Sequence, residues 1–163
     1  MAVSPFLSSK VLSKMKILTS LEKEFSNIKF VPSSRFQWSP EEKTIYFVNG
    51  KKNSEWSLLH EAGHMLCDHI NYSNDLGLLR MEVEAWEKAR KLAKKYSHQI
   101  DEGHIDKCLD TYRDWIYTRS SCPRCTQAGV EKNTGNYHCI NCGHQWKVSS
   151  ERFCRTYRKT VTA

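Results

Sequence analysis

Residues 58–65 read Leu-Leu-His-Glu-Ala-Gly-His-Met, and this stretch decides how the larger part of the chain is interpreted. His60 and His64 are four residues apart, so on a helix both imidazoles project from one face, one turn from each other. Two nitrogens at that spacing can bind one Zn²⁺ at about 2.0–2.1 Å. Glu61 follows the first histidine and can accept a proton from a water molecule that the metal activates. The stretch therefore predicts a catalytic zinc site on a helix.

The residues around this motif favour a helix that packs in the protein core. A start near Asn53 or Ser54 suits the pattern, and apolar residues surround the histidines: Leu58, Leu59 and Met65. Ala62 and Gly63 are small enough for another element to approach the helix closely. The alternative is an ordinary amphipathic helix whose two histidines bind no metal.

A catalytic zinc takes a third protein ligand and keeps one position for water. The next helical stretch, residues 78–96, offers Glu82 and Glu84, which helical periodicity places on different faces. Glu82 shares the apolar face of this helix, whereas Glu84 lies opposite it with Lys88 as an i+4 partner. Because a carboxylate on a buried face must be paired or metal-bound, we predict Glu82 as the third ligand. The alternatives are Glu84, or another group such as His69 or His98.

The periodicity of the remaining chain predicts a mainly helical α+β domain. A first helix begins at Ser8 or Ser9 and runs to about Phe25, the third is capped by Asp75, and a fourth is capped by Asp101.

Two short apolar stretches, residues 28–31 and 44–48, are typical of strands in a small sheet. The second stretch ends at the turn Asn49-Gly50 and leads into the motif helix. A strand beside an active-site helix commonly holds an extended substrate by strand addition, so residues 44–48 are a candidate for that role. A purely structural strand is the alternative.

Four cysteines predict a second metal site near the end of the chain. Cys122 and Cys125 form one Cys-x-x-Cys pair, Cys139 and Cys142 form another, and 13 residues separate the pairs. Two such knuckles give a tetrahedral Cys₄ zinc site with no position for water, so this metal has a structural role. The alternative is a redox dithiol or disulfide. Turn residues between the pairs and a strand pattern after them predict a small β zinc ribbon.

The composition changes abruptly at Ser120-Ser121-Cys122-Pro123. We therefore divide the chain into residues 1–119, a helical metallopeptidase-like domain, and residues 120–163, the zinc ribbon with its basic carboxy-terminal tail. The predicted cofactors are two Zn²⁺ ions, one catalytic and one structural. The predicted fold class is α+β, with a small β module added to a mainly helical domain.

Positive charge is concentrated at the end of the chain. Residues 119–163 hold eight cations and two acids, and so carry +6 of the formal +7. The cations are Arg119, Arg124, Lys132, Lys147, Arg152, Arg155, Arg158 and Lys159, and the interleaved aromatic residues are Trp146, Phe153 and Tyr157. Cations that bind phosphates and rings that stack on bases favour nucleic acid as a partner. Protein recognition, or simple solvation of a small module, is the alternative.

The chain contains no apolar run of the about 20 residues that cross a bilayer, so we expect no membrane partner. Its first residues lack the basic start and apolar stretch of a signal peptide. Seven cysteines without a secretory context favour reduced thiols and metal ligands over disulfides. We therefore expect a cytoplasmic protein.

The motif residues resemble those of a known family. His60-Glu61-Ala62-Gly63-His64, followed by Glu82-Val83-Glu84-Ala85-Trp86-Glu87-Lys88-Ala89, is similar to the ImmA/IrrE family of bacterial and phage metallopeptidases over roughly residues 30–96. The resemblance implies a zincin-like fold, zinc bound by His60, His64 and Glu82, and Glu61 as the base. It also implies cleavage of a protein partner, often a transcriptional repressor. The pairing of such a motif with a zinc ribbon is more weakly similar to SprT-like proteases.

The sequence thus predicts a zinc-dependent endopeptidase that acts on a protein substrate near nucleic acid. One alternative is a catalytically silent zincin fold that, with its ribbon, only binds nucleic acid or protein. Another is a DNA-associated assembly protein stabilised by two metals. The residue that stabilises the oxyanion is left open among Tyr72, His69 and His104.

Overall fold

The computed structural model describes residues 16–150, 152 and 155–161. Within them the chain forms four helices and two small sheets, which confirms the predicted α+β class. The helices are α1 (Lys16–Glu24), α2 (Ser54–Leu66), α3 (Asp75–Lys95) and α4 (Glu102–Ser120). The strands are β1 (Lys29–Pro32), β2 (Gln37–Ser39), β3 (Thr44–Phe47), β4 (Gly129–Asn133), β5 (Asn136–Cys139), β6 (Gln145–Val148) and β7 (Arg158–Thr160).

The motif helix α2 forms the centre of the larger core. It contacts α1, α3, β2 and β3, and its side chains Leu58, Leu59 and Ala62 are completely buried. It begins at Ser54 as the sequence predicts. The predicted start of α1 at Ser8 or Ser9 lies outside the described residues. No helix in the described part of the chain is long and apolar enough to cross a bilayer.

The starts of α3 and α4 test two predicted caps. Asp101 does cap α4, because its side chain accepts a hydrogen bond from the Gly103 N–H at 3.0 Å. The prediction for α3 is wrong: Asn74 is the cap and accepts from the Gly77 N–H at 2.7 Å. Asp75 is instead the first helical residue, and its side chain is buried against the ribbon.

The first sheet has the order β1-β3-β2, with β1 parallel and β2 antiparallel to β3. β1 and β3 correspond to the two predicted strands. The sequence did not predict β2, whose three residues stand where only a connection was expected. Because β3 is paired on both sides, β2 forms the free edge next to α2.

The ribbon sheet has the order β4-β5-β6-β7, and all its neighbours are antiparallel. One face packs on the helices: the Trp146 indole donates to the carbonyl oxygen of Arg119 at 2.9 Å, and Trp146 is fully buried. Part of the predicted basic tail is also structured, since residues 158–160 form the edge strand β7. Arg158 donates to the carbonyl oxygen of Ser121 at 2.9 Å.

A buried polar cluster joins the ribbon to the helices. Asp75 and Arg119 are only 1% and 2% exposed, and Arg119 Nε lies 2.5 Å from Asp75 Oδ2. The same Asp75 oxygen accepts a hydrogen bond from the Tyr137 hydroxyl at 2.5 Å. Glu131 accepts from the backbone N–H of Asp75 at 2.6 Å, which places a carboxylate at the amino-terminal end of α3. The ribbon is therefore packed onto α3 and α4 through charges that satisfy each other.

Loss of Arg119 should destabilise the protein strongly. Arg119→Met leaves Asp75 buried without its counter-charge, which costs about 3–5 kcal/mol. Arg113→Met is the matched control on the same helix, because Arg113 forms an exposed pair with Asp110 and its loss costs under about 1 kcal/mol. Urea unfolding of both zinc-loaded variants measures the difference. Equal losses for the two variants would contradict the interpretation.

Candidate metal centres

The structure brings His60, His64 and Glu82 together at one point. Their ligand atoms all lie within 4.8 Å of one another. His60 Nε2 lies 3.1 Å from His64 Nε2 and 3.1 Å from a Glu82 oxygen, and His64 Nε2 lies 3.6 Å from the other Glu82 oxygen. Tetrahedral ligands at about 2.0–2.1 Å from one zinc are about 3.3 Å apart. The three side chains therefore fit a single metal ion.

Glu82 reaches the histidines because α2 and α3 approach each other very closely at Gly63. A Cβ added to Gly63 would lie 2.1 Å from the carbonyl oxygen of Ala85, so only glycine fits there. Ala85 itself is completely buried. The sequence predicted that Ala62 and Gly63 let another element approach α2 closely. This close approach occurs at Gly63, which meets α3 at Ala85, one turn from Glu82.

The other candidate ligands lie elsewhere. Glu84 contacts His69, with its carboxylate 3.1 Å from His69 Nε2. His69 faces the Nδ1 atom of His64 rather than the Nε2 atom that points at the metal site. His98 lies 3.4 Å from Glu55. Among the alternatives, geometry favours Glu82 and leaves Glu84, His69 and His98 outside the ligand group.

Electrostatics distinguishes the two acids of the site. Burial alone would raise the pKa of Glu82. Hydrogen bonds and charge from His60 and His64 outweigh burial and hold this pKa well below its ordinary value. Burial raises the pKa of Glu61, because the two histidines and a backbone N–H only partly offset the loss of solvent. Glu82 is therefore held as an anion, while Glu61 has a higher proton affinity than an exposed glutamate.

Glu61 is fixed by the strand that the sequence did not predict. The backbone N–H of Trp38, in β2, donates to Glu61 Oε2 at 2.7 Å. This bond orients the carboxylate beside the histidines and leaves its second oxygen for a proton. The signal for β2 in the sequence is weak, because it is only three residues long and Pro40 follows it closely.

Aromatic rings complete the walls of the site. The Trp86 ring stacks on His60 with a centroid separation of 4.2 Å, and His104 lies edge-on to Trp86 at 5.8 Å. Tyr112 of α4, which the sequence analysis did not single out, has its pKa raised by burial and by Glu82. The guanidinium of Arg152 lies 3.5 Å from the centre of the Tyr112 ring. A cation from the ribbon segment thus lies near this site.

The second group consists of the four predicted cysteines. Cys122 Sγ lies 3.7 Å from Cys142 Sγ, and Cys125 Sγ lies 3.4 Å from Cys139 Sγ. Tetrahedral thiolates at about 2.3 Å from a metal are about 3.8 Å apart, so the group can hold a metal ion. All four are free cysteines. Hydrogen bonds from the backbone of Gln127 and the side chain of Asn141 lower the pKa of Cys125 to about 6, which favours the thiolate that a metal needs.

The outer face of the ribbon differs from the predicted nucleic-acid surface. Trp146 is fully buried, so the prediction that it stacks on bases is wrong. Tyr157 is 66% exposed and is accessible, whereas Phe153 lies outside the described residues. Lys147 and Lys159 are direct cross-strand partners and both are exposed. They lie on the face opposite the one that packs on the helices.

Comparison with protein-family models, with curated proteins and with solved structures finds no match to this chain. The resemblance to the ImmA/IrrE family therefore remains a prediction from the motif residues.

Gly63→Ala should open the contact between α2 and α3. The added methyl group cannot coexist with the Ala85 carbonyl, so we expect a loss of about 1–3 kcal/mol and weaker metal binding by the histidines and Glu82. Gly103→Ala is the matched control, because its Cβ makes an ordinary 3.4 Å contact in a helix. Thermal unfolding and metal content measure both effects. If Gly63→Ala behaves like Gly103→Ala, the contact does not control the site.

Proposed function

We propose that this chain is a zinc-dependent endopeptidase. One observation carries the proposal: His60, His64 and Glu82 converge on one point, and Glu61, which interacts electrostatically with both histidines, is held by the Trp38 N–H. Two histidines and a carboxylate are a common ligand set of catalytic zinc, which keeps a further position for water. No fourth metal-binding side chain joins this group in the described residues, so the arrangement suits catalysis better than a closed structural site.

Each residue then has a distinct role. His60, His64 and Glu82 would hold the metal, and the low pKa of Glu82 would keep it an anionic ligand. A bound zinc ion would supply Lewis acidity for the hydrolysis of a peptide bond. Glu61 accepts the proton of the attacking water through its free oxygen and delivers it to the leaving amine. The Trp38 N–H keeps Glu61 directed at the reacting atoms during both transfers.

The free edge of the first sheet suits an extended peptide substrate. β3 is paired on both sides, so residues 44–48 cannot add a substrate strand, and that expectation is wrong. β2 is at the edge and contacts α2, next to Glu61. An extended segment of a protein substrate that lies along β2 would cross the metal site, held by contacts other than the Trp38 N–H, which Glu61 already accepts.

Glu61→Gln should retain zinc but lose peptidase activity. Removal of a general base lowers turnover about 10²–10⁴-fold without removing a ligand. Glu82→Gln should lose the catalytic zinc, and the exposed Glu87→Gln on the same helix is the control. Metal content and cleavage of a diverse peptide library measure the two properties. Wild-type protein that holds two zinc ions but makes no Glu61-dependent cut would favour the silent binding module instead.

The four-cysteine group is proposed as a structural zinc site. Four thiolates leave no position for water, so this metal stabilises the ribbon without taking part in the reaction. We expect two zinc ions per wild-type chain and one in His60→Ala or in Cys139→Ser. Cys139→Ser should also unfold the ribbon, because the cysteines form much of its small core.

The ribbon is proposed to bind nucleic acid through its outer face. Like charges directly opposite each other destabilise a sheet, so the paired Lys147 and Lys159 are best explained by an anionic partner. The acid Glu131 does not offset them, because it accepts hydrogen bonds from Asp75 and Gly135 at the helix junction. Lysines on an edge strand also prevent strand pairing between chains, and a binding experiment separates the two explanations.

Reversal of both charges should reduce nucleic-acid binding and its salt dependence. The double variant Lys147→Glu and Lys159→Glu removes two phosphate contacts, so the slope of log affinity against log salt should fall by about 1.4 for a single strand. Lys51→Glu with Lys52→Glu is the control, since both lysines are exposed far along the chain from the ribbon. Anisotropy of a labelled oligonucleotide measures the slopes. Equal slopes for the two double variants would refute the proposed face.

A further inference from the structure

A chain of hydrogen bonds leads from His64 to the protein surface. His64 Nδ1 lies 2.9 Å from His69 Nδ1, and His69 Nε2 lies 3.1 Å from Glu84 Oε2. The His69 side chain is 9% exposed, whereas that of Glu84 is 47% exposed. The chain therefore begins at a predicted metal ligand and ends at a carboxylate in contact with solvent.

The backbone after α2 is shaped to bring His69 back to this position. Asp68 adopts a left-handed conformation with φ 51°. The N–H of His69 donates to the carbonyl oxygen of His64 at 3.1 Å, which closes a tight turn. The His69 ring consequently lies against His64, with a centroid separation of 5.1 Å. A single helix with a frayed end would not place the two rings together.

The proton positions along this chain follow from the donor properties of its members. An ionised Glu84 only accepts, so His69 Nε2 carries a proton and donates to it. Neutral His69 then has an unprotonated Nδ1, which accepts a hydrogen bond from a proton on His64 Nδ1. When a metal ion occupies the site, His64 Nε2 can then present its lone pair at the point that it shares with Glu82 and His60. Only this arrangement prepares His64 as a metal ligand.

His60 is held differently. Its ring is fixed by stacking on Trp86, and its Nδ1 is buried without a hydrogen-bond partner among the described residues. Stacking fixes the plane of a ring but does not select which nitrogen carries the proton. Of the two histidines, only His64 has a side-chain partner at its outer nitrogen, Nδ1, among the described residues.

We propose that His69 and Glu84 are positioning residues that fix the tautomer and orientation of His64 and so strengthen metal binding by His60, His64 and Glu82. The inference rests on the metal site of the proposed function and assigns a role to two residues that bind no metal themselves. It also explains why α3 carries two glutamates two positions apart: Glu82 faces the metal, and Glu84 faces the outer end of the same histidine chain.

Substitutions at His69 test this role through zinc affinity, measured by chelator competition in protein whose ribbon is already loaded. His69→Leu removes both hydrogen bonds and should weaken zinc binding about 10–100-fold. His69→Gln should restore most of the affinity, because its amide oxygen can accept from His64 and its amide nitrogen can donate to Glu84. Glu84→Gln keeps an acceptor and should show a smaller loss. His98→Leu is the control, since His98 forms a comparable pair with Glu55 away from the site.

A spectroscopic measurement separates positioning from packing. Nitrogen-15 spectra of the zinc-loaded protein should show the His64 Nδ1 proton protected from exchange in the wild type and in His69→Gln, and in fast exchange with water in His69→Leu. If His69→Leu binds zinc like the wild type, or if His69→Gln loses as much affinity as His69→Leu, the inference is wrong. Wild-type protein with only the ribbon zinc would instead overturn the proposed function.

Discussion

The close contact between α2 and α3 at Gly63 is the constraint on which the candidate site of His60, His64 and Glu82 depends. The Ala85 carbonyl occupies the space where any side chain at position 63 would lie, so the two helices meet backbone to backbone. This approach carries Glu82 to the histidines of α2 and fixes the direction of α3. The amino-terminal end of α3 then lies where Asp75 contacts Arg119 of α4 and Tyr137 of the ribbon. The absence of a side chain at Gly63 therefore sets the position of a helix that provides Glu82 to the histidines and Asp75 to the junction with the ribbon.

The surroundings of Glu61 in α2 and of Glu82 in α3 shift the pKa values of these two carboxylates in opposite directions. Both are largely removed from solvent, which raises the pKa of a carboxyl group. Two histidine nitrogens lie within 3.6 Å of Glu82 and overcome that effect, so its pKa falls. Glu61 accepts a hydrogen bond from a backbone N–H. This bond and the nearby histidines offset the effect of burial only in part, so the pKa of Glu61 rises. The difference matches what a ligand and a general base require.

The parts of the site that the sequence predicted are those encoded by local periodicity. Helical geometry alone predicts that His60 and His64 share one face and that α3 has a buried face. The same geometry favours Glu82 over Glu84. The missed parts depend on contacts between distant segments. Trp38 lies 23 residues from Glu61, and Asp75 lies 44 residues from Arg119. Periodicity carries no information about such pairs, so the edge strand and the buried ion pair could not be predicted.

The same reasoning explains why the ribbon was interpreted as a separate basic module. Its charge is visible in the composition, but the use of each cation depends on which face of the sheet it occupies. Arg119 forms an ion pair with Asp75, Arg158 donates to the Ser121 carbonyl, and Arg152 lies over the Tyr112 ring. Lys147 and Lys159 lie instead on the outer face. Three of the eight cations therefore make contacts where the ribbon meets the helices. A ribbon held in this way moves with the helices, so a partner bound to its outer face would be kept at a fixed distance from the metal site of α2.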